Sequence, residues 1–260
     1  MLYYQMTGFM EGDAPPSPME RLHLPDTADA SLFLDFDGTL VDIADRPDGI
    51  RIPDRLHGLL ARAFDRLDGR VALVSGRTVD ELRAFLPRFE GPLIGAHGAE
   101  RWVDGRMERA GEFDADRIAG LQRLVADFAV LQPAFLVENK PTGVVLHYRQ
   151  AQEQGALAMH FMESLVAASD GFKLQPALCA YEIKPDGVGK DIALAALLDN
   201  PPFAGSRPVF AGDDLTDEPA LELVQARKGV GIKIGTAESV ARYRLSDPAA
   251  LMARLETWLA

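Results

Sequence analysis

Ser31-Leu32-Phe33-Leu34-Asp35-Phe36-Asp37-Gly38-Thr39 is the stretch on which the reading of the fold turns. A short apolar run stops here in two acids, a glycine and a threonine. A run of this length, bounded by turn residues, predicts a strand buried on both faces. In an open parallel sheet, ligands collect just beyond the carboxyl ends of the strands. Asp35 stands at such an end. Acids at i and i+2 project to the same side, so Asp35 and Asp37 reach one site, and Gly38 permits the tight turn that follows. The plainer alternative is a surface turn, because 39 acidic residues make one Asp-x-Asp pair by chance unsurprising.

Outward from this stretch the pattern alternates. Pro53 opens a helix whose Leu56, Leu59, Leu60, Ala63, Phe64 and Leu67 form one apolar stripe. Arg70 to Val74 reads as a second strand, Thr78 to Glu81 has the form of a capping box, and Pro92 to Ala96 reads as a third strand. Strand–helix alternation predicts a parallel sheet wrapped by helices. The middle of the chain changes character. It holds a hairpin about Asp104-Gly105, a helix carrying Ile118, Leu121 and Val125, two strands about Lys140-Pro141-Thr142-Gly143, a helix over 152–168 and a strand at Ala180 to Ile183. Alternation then resumes, with helices at Gly189 to Leu198 and Glu218 to Ala226, strands at Pro208 to Ala211 and Val230 to Ile234, and a last helix from Pro248. The expectation is an α/β chain: a Rossmann-like parallel-sheet core of residues 29–106 and 184–260, with a smaller α+β cap, residues 107–183, inserted between them. Residues 1–28, with prolines at 15, 16 and 18, read as a flexible leader.

Composition narrows the partners. The chain has 260 residues, 47% of them hydrophobic, with a net charge of -12 and no run of Lys and Arg. That argues against nucleic acid and anionic membrane. No apolar run approaches the ~18 residues that span a bilayer, and the first cationic side chain is Arg21, so no secretory leader is evident. A single cysteine, Cys179, allows no internal disulfide. The expectation is a cytoplasmic monomer acting on a small molecule.

Three further stretches carry chemistry. Pro208-Val209-Phe210-Ala211-Gly212-Asp213-Asp214, with Asp217 three residues on, is a second apolar strand ending in glycine and acids. Clustered carboxylates repel unless a cation or protons hold them, and an oxygen-only set suits magnesium. Either Asp213 or Asp214 reads equally well as a helix N-cap. Ser75-Gly76-Arg77 offers a hydroxyl and backbone N–H groups at a helix start, an anion-binding arrangement or simply a cap. Lys190 follows Gly187-Val188-Gly189, but the spacing is not that of a phosphate-binding P-loop. A lysine at a helix start opposes the helix dipole unless an anion lies beside it.

In this order the four pieces resemble the haloacid dehalogenase-like phosphohydrolase (HAD) superfamily, over residues 29–106 and 184–260. More narrowly, Val74-Ser75-Gly76-Arg77, Glu182-Ile183-Lys184-Pro185 with Gly189-Lys190, and Gly212 to Glu218 resemble the trehalose-6-phosphate phosphatases. Glu138-Asn139-Lys140 and His147-Tyr148-Arg149 are similar to the stretches with which that family's cap holds its sugar. The resemblance implies hydrolysis of trehalose 6-phosphate to trehalose and phosphate through a phospho-aspartyl intermediate, with another sugar-phosphate phosphatase or a phosphosugar mutase of the superfamily as the alternative. It implies Asp35 as nucleophile, Asp37 as general acid and base, and Ser75 and Lys190 on the phosphoryl oxygens. Magnesium would be held by Asp35, Asp213 and the Asp37 carbonyl, with Asp214 and Asp217 behind them or reaching it through water. Gly76, Arg77, Glu138, Lys140, Arg149, Glu182 and Lys184 are the implied substrate contacts.

Overall fold

The computed structural model describes residues 22–43, 49–109, 115–140, 142–177 and 179–260. An eight-stranded sheet runs β12-β11-β10-β1-β2-β3-β4-β5. Its strands are β1 (Ala30–Leu34), β2 (Val71–Val74), β3 (Leu93–Gly95), β4 (Glu100–Val103), β5 (Arg106–Arg109), β10 (Arg207–Gly212), β11 (Val230–Ile234) and β12 (Tyr243–Leu245). The six strands from β12 to β3 are parallel; β4 and β5 add an antiparallel edge. A second, four-stranded antiparallel sheet, β6-β7-β9-β8, is built from β6 (Leu136–Lys140), β7 (Gly143–His147), β8 (Phe172–Ala177) and β9 (Ala180–Pro185).

Both faces of the large sheet are covered, which is why β1 reads as an unbroken apolar run. Leu32 and Leu34 point to the side packed by α1 (Asp54–Arg66), α2 (Val79–Phe85) and α7 (Pro248–Trp258). Phe33 points to the other side, against α5 (Lys190–Leu198) and α6 (Glu218–Ala226). The expected capping box starts α2: the Thr78 hydroxyl accepts from the Glu81 N–H at 3.3 Å, and the Glu81 carboxylate accepts from the Thr78 N–H at 2.8 Å. In the small sheet, Val144, Leu146 and Ile183 pack against α3 (Ala115–Val130) and α4 (Gly155–Ala167). Residues of opposite parity, Glu138, Val145 and Glu182, lie side by side across β6, β7 and β9 on the face away from those helices.

Several details depart from the sequence expectation. Strands β8 and β12 were not foreseen. Both are edge strands, held by a single neighbour, and Pro176 inside β8 is tolerated only at an edge. The large sheet runs on through β5 to Arg109, and the small sheet through β9 to Pro185, each past the boundaries expected from the sequence. Of the expected leader, residues 1–21 lie outside the described residues. Residues 22–28 are tied down: Trp258 Nε1 donates to the Pro25 carbonyl at 2.7 Å, Arg70 donates to the carbonyls of Thr27 and Ala28, and Leu22 and Leu24 pack against the core. Among the described residues, no helix is long and apolar enough to cross a membrane.

Candidate active site

The parallel strands leave β1 in opposite directions, toward β2 on one side and β10 on the other. The crevice between β1 and β10 is therefore the topological switch point where an α/β sheet binds ligands. The register sets the neighbours. Leu34 pairs with Ala211, and the Asp35 N–H donates to the Ala211 carbonyl at 3.0 Å. The tips of β1 and β10 end together, and carboxylate oxygens of Asp35, Asp213 and Asp217 all lie within 4.8 Å of one another. Gly38 lets them do so. Its φ is +76°, and a Cβ there would sit 2.2 Å from an Asp213 carboxylate oxygen.

Lys190, at the first turn of α5, reaches this cluster from the opposite side. Its ammonium donates to Asp35 Oδ1 at 2.7 Å and to Asp217 Oδ1 at 2.6 Å, and all three side chains are buried. The anions that justify a lysine at a helix N-terminus are thus carboxylates of the protein itself. Burial alone would depress the Lys190 ammonium, but Asp217 and Asp35 hold it well above its ordinary value. Burial drives Asp35 well above the usual carboxylate range. Lys190 opposes the shift, and Asp217 and Asp213 add to it. Asp213 is pushed up to about 6, by burial first and then by Asp217 and Asp214. These carboxylates crowd one another with a single ammonium among them, so the donor set is short of positive charge and offers oxygen ligands only. It fits a divalent cation.

The other expected residues are distributed as follows. Ser75 is buried at the end of β2, its hydroxyl accepting from the Arg77 N–H at 3.2 Å. Arg77 is held by protein groups: its Nε and Nη2 donate to the two oxygens of Asp37 at 2.7 and 2.9 Å, and its guanidinium lies over Phe85, 5.0 Å from the ring centroid. Asp37 stands outside the three-carboxylate cluster, and so does Asp214, whose N–H donates to Asp217 Oδ2 at 3.0 Å. Both Asp217 oxygens are thereby engaged, one by Lys190 and one by the Asp214 N–H. Asp217 is thus tied on both oxygens, whereas Lys190 takes only one oxygen of Asp35.

A cleft of about 510 Å³ opens over this cluster, a size suited to a small ligand. Core residues Asp35, Asp37 and Lys190 line one side, and Glu138, Asn139 and Lys140 of β6 line the other. The Glu138 carboxylate accepts from His147 Nε2 at 2.9 Å, and that contact, ahead of the others, holds its carboxyl below the ordinary range. The Lys140 ammonium pairs with Glu182 at 3.4 Å. Lys184, next but one along β9, is buried, and burial above all pushes it down to about 8. Arg149 is not brought to the site: it is exposed in the turn after β7 and does not line the cleft. His97 was not singled out in the sequence, yet it lines the cleft. It follows β3, the third parallel strand, so the carboxyl-end rule that picked out Asp35, Ser75 and Asp213 would have reached it.

Comparison with known proteins identifies the family. The trehalose-phosphatase family model matches residues 33–249. Trehalose-6-phosphate phosphatase of Escherichia coli (strain K12) is 37% identical over 218 residues, which are 82% of this chain and 80% of that protein. The C-terminal domain of C. albicans trehalose-6-phosphate phosphatase superposes with a TM-score of 0.75 at 20% identity, covering 89% of this chain and 92% of that one. A haloacid dehalogenase-like hydrolase from B. subtilis superposes with a TM-score of 0.65 at 15% identity, covering 87% and 99%. Those two likenesses carry the fold. With the match spanning both halves of the large sheet and the sheet between them, the chain belongs to the trehalose-phosphatase family.

Proposed function

We propose that the chain hydrolyses trehalose 6-phosphate to trehalose and phosphate through a phospho-aspartyl intermediate on Asp35, with magnesium as its cation. The observation that carries this reading is the meeting of Asp35, Asp213 and Lys190 at one crevice below a cap-lined cleft. Magnesium bound by Asp35 and Asp213 would supply the positive charge that lets an anionic nucleophile face an anionic phosphate. Asp35 attacks phosphorus, which replaces one very slow displacement by two faster ones. Ser75 and Lys190 hold the phosphoryl oxygens where charge develops.

Asp37 then has to deliver a proton to the departing sugar oxygen. Both of its oxygens are occupied by the Arg77 fork in the resting site. An incoming phosphate competes for the same guanidinium; as Arg77 turns toward it, an Asp37 oxygen is freed to take up a proton from water, which it then passes to the departing oxygen. The later attack of water returns that proton to Asp37. The polar face of the small sheet supplies sugar recognition: Glu138, Lys140 and Glu182 offer a mixed set of donors and acceptors for hydroxyls.

The test is magnesium-dependent phosphate release across a panel of sugar phosphates. Trehalose 6-phosphate is expected to be hydrolysed fastest, and activity is expected to vanish with EDTA. A better substrate elsewhere in the panel, or isomerised phosphosugar with little free phosphate, would overturn the reading.

Two predictions arise here. Glu182→Ala removes the buried carboxylate that holds Lys140, so kcat/KM for trehalose 6-phosphate should fall roughly 30-fold or more, as loss of a charge-assisted hydrogen bond of about 2–3 kcal/mol does. Hydrolysis of p-nitrophenyl phosphate, which has no sugar to read, should change by less than about threefold. Equal losses on both substrates would remove Glu182 from sugar recognition.

The second concerns the cation. Asp213, pushed up to about 6 from an ordinary 3.8, binds its proton more tightly folded than unfolded. Its contribution to the cation-free fold is therefore present at low pH and is lost as pH rises from 3.8 through 6. Below that upper value a cation must displace the proton. The magnesium concentration giving half-maximal thermal stabilisation should rise at least about tenfold per pH unit as pH falls below about 6, because Asp35, also held above the carboxylate range, has its own proton to lose. A midpoint that is flat from pH 5 to 7.5 would contradict the assignment.

A further inference from the structure

The turn at Ala96–Gly98, between β3 and β4, joins three parts of the site. The Ala96 N–H donates to the Arg77 carbonyl at 2.7 Å and the His97 N–H to the Ser75 carbonyl at 3.0 Å, so the backbone of the Ser75–Arg77 loop is pinned to this turn. Gly98 lies against the backbone of Gly189, the residue before Lys190: a Cβ at 98 would fall 2.3 Å from the Gly189 carbonyl oxygen. The His97 ring covers Gly76, where a Cβ would come within 2.6 Å of its Cε1 and Nε2. Two consecutive residues with side chains, Ala96 at φ 47° and His97 at φ 54°, sit in the left-handed region. Such strain persists where the surroundings impose it and gathers at functional sites.

From this anchored position the imidazole reaches out of the core to the other sheet. His97 Nε2 lies 3.3 Å from Nζ of Lys140 on β6. A lysine ammonium can only donate, so Nε2 accepts, and the neutral ring carries its proton on Nδ1. Burial first, then Lys140, Lys190 and Lys184, hold the imidazole well below its ordinary value, which keeps that acceptor available. Among the described residues Nδ1 is buried without a hydrogen-bond partner. A side chain kept at the expense of a buried unpaired donor, on a strained backbone, is explained by what its other nitrogen does.

We propose that His97 is a positioning residue that sets substrate specificity: by accepting from Lys140 it fixes that ammonium over the sugar end of the cleft, in register with the phosphate-holding loop that its own backbone pins. Lys140 is held on one side by Glu182 of the cap and on the other by His97 of the core. Sugar contact and phosphate contact are thus spaced for one ligand, and a phosphate ester without the sugar does not use the device. The inference rests on the function proposed above.

The test compares His97→Leu, which keeps bulk and removes the acceptor, with His97→Gln, whose side-chain oxygen reaches the position of Nε2. KM and kcat are measured for trehalose 6-phosphate and for p-nitrophenyl phosphate. His97→Leu is expected to raise KM for the disaccharide phosphate about tenfold with a much smaller change in kcat, and to affect the aryl phosphate by less than threefold. His97→Gln is expected to bring KM back to within about threefold of the parent. Equal losses on both substrates, an unchanged KM, or a Gln variant as impaired as the Leu variant would overturn the proposal.

A readout without substrate separates this from the choice of sugar. The imidazole 15N spectrum of the unmodified protein, with His97 assigned by its loss in His97→Gln, should show the Nδ1–H tautomer, and Lys140→Met should abolish that preference. An Nε2–H ring in the unmodified protein would overturn the proposal whichever sugar phosphate proves to be the substrate. Failure of the unmodified protein to hydrolyse trehalose 6-phosphate, with the Nδ1–H tautomer present, would overturn the assigned substrate and leave the His97–Lys140 contact standing.

Discussion

Replacing Asp35 by Asn should abolish turnover, by about three orders of magnitude or more, while the fold survives. The amide has the shape of the carboxylate but no anionic oxygen to attack phosphorus. The residue is 4% exposed, and burial raises its carboxyl well above the usual range, so the fold gains little from its charge. Lys190 keeps Asp217 as a partner at 2.6 Å, so removing the charge at 35 does not strand the ammonium. Phosphate release and thermal unfolding measured on one preparation check both halves. Acid-quenched protein should carry phosphate on an aspartyl side chain in the parent and none in the variant. Activity within tenfold of the parent, with the Asn confirmed intact, would place the nucleophile elsewhere.

Lys190→Met should cost both stability and activity. The ammonium is buried between Asp35 and Asp217. Deleting it leaves two carboxylates facing each other out of water, and breaking a buried ion pair by removing one partner costs about 3–5 kcal/mol. Some of that is recovered when one carboxyl takes up a proton, so the loss should grow from pH 5 to pH 8. Adding Asp217→Asn to Lys190→Met should restore part of the stability, because only one of the two carboxylates then remains to be charged. It should restore no activity, because the group proposed to steady the phosphoryl oxygens is still missing. Unchanged unfolding of Lys190→Met in the absence of cation would show that the three groups are not coupled as the geometry requires.

Particular elements show how far the chain could be read without its structure. Strands β1, β2, β10 and β11 were legible because each is buried along nearly its whole length and so is mostly apolar, with Ser31, Arg207 and Lys233 as the polar exceptions. Their ends were legible because glycine and acids stop such runs abruptly. The edges were not. β8 and β12 have one neighbour each, and weak pairing demands little of the sequence. The tie of residues 22–28 to Arg70 and Trp258 was equally hidden, because it is made by backbone carbonyls that any residue would supply.

The sequence by itself determined which groups can react: a strand tip ending in Asp35, a second ending in Asp213, a hydroxyl at Ser75 and a lysine at a helix start. Chemical type and position along a strand or helix are local properties, and local pattern carries them. Tertiary structure alone decided who partners whom. Lys190 meets Asp35 across 155 residues of chain, Arg77 turns to Asp37, Arg149 is left outside, and His97 is drawn in. Those pairings depend on distances through space between the ends of elements far apart in the chain, and strand order and register set such distances without leaving a mark on any one segment.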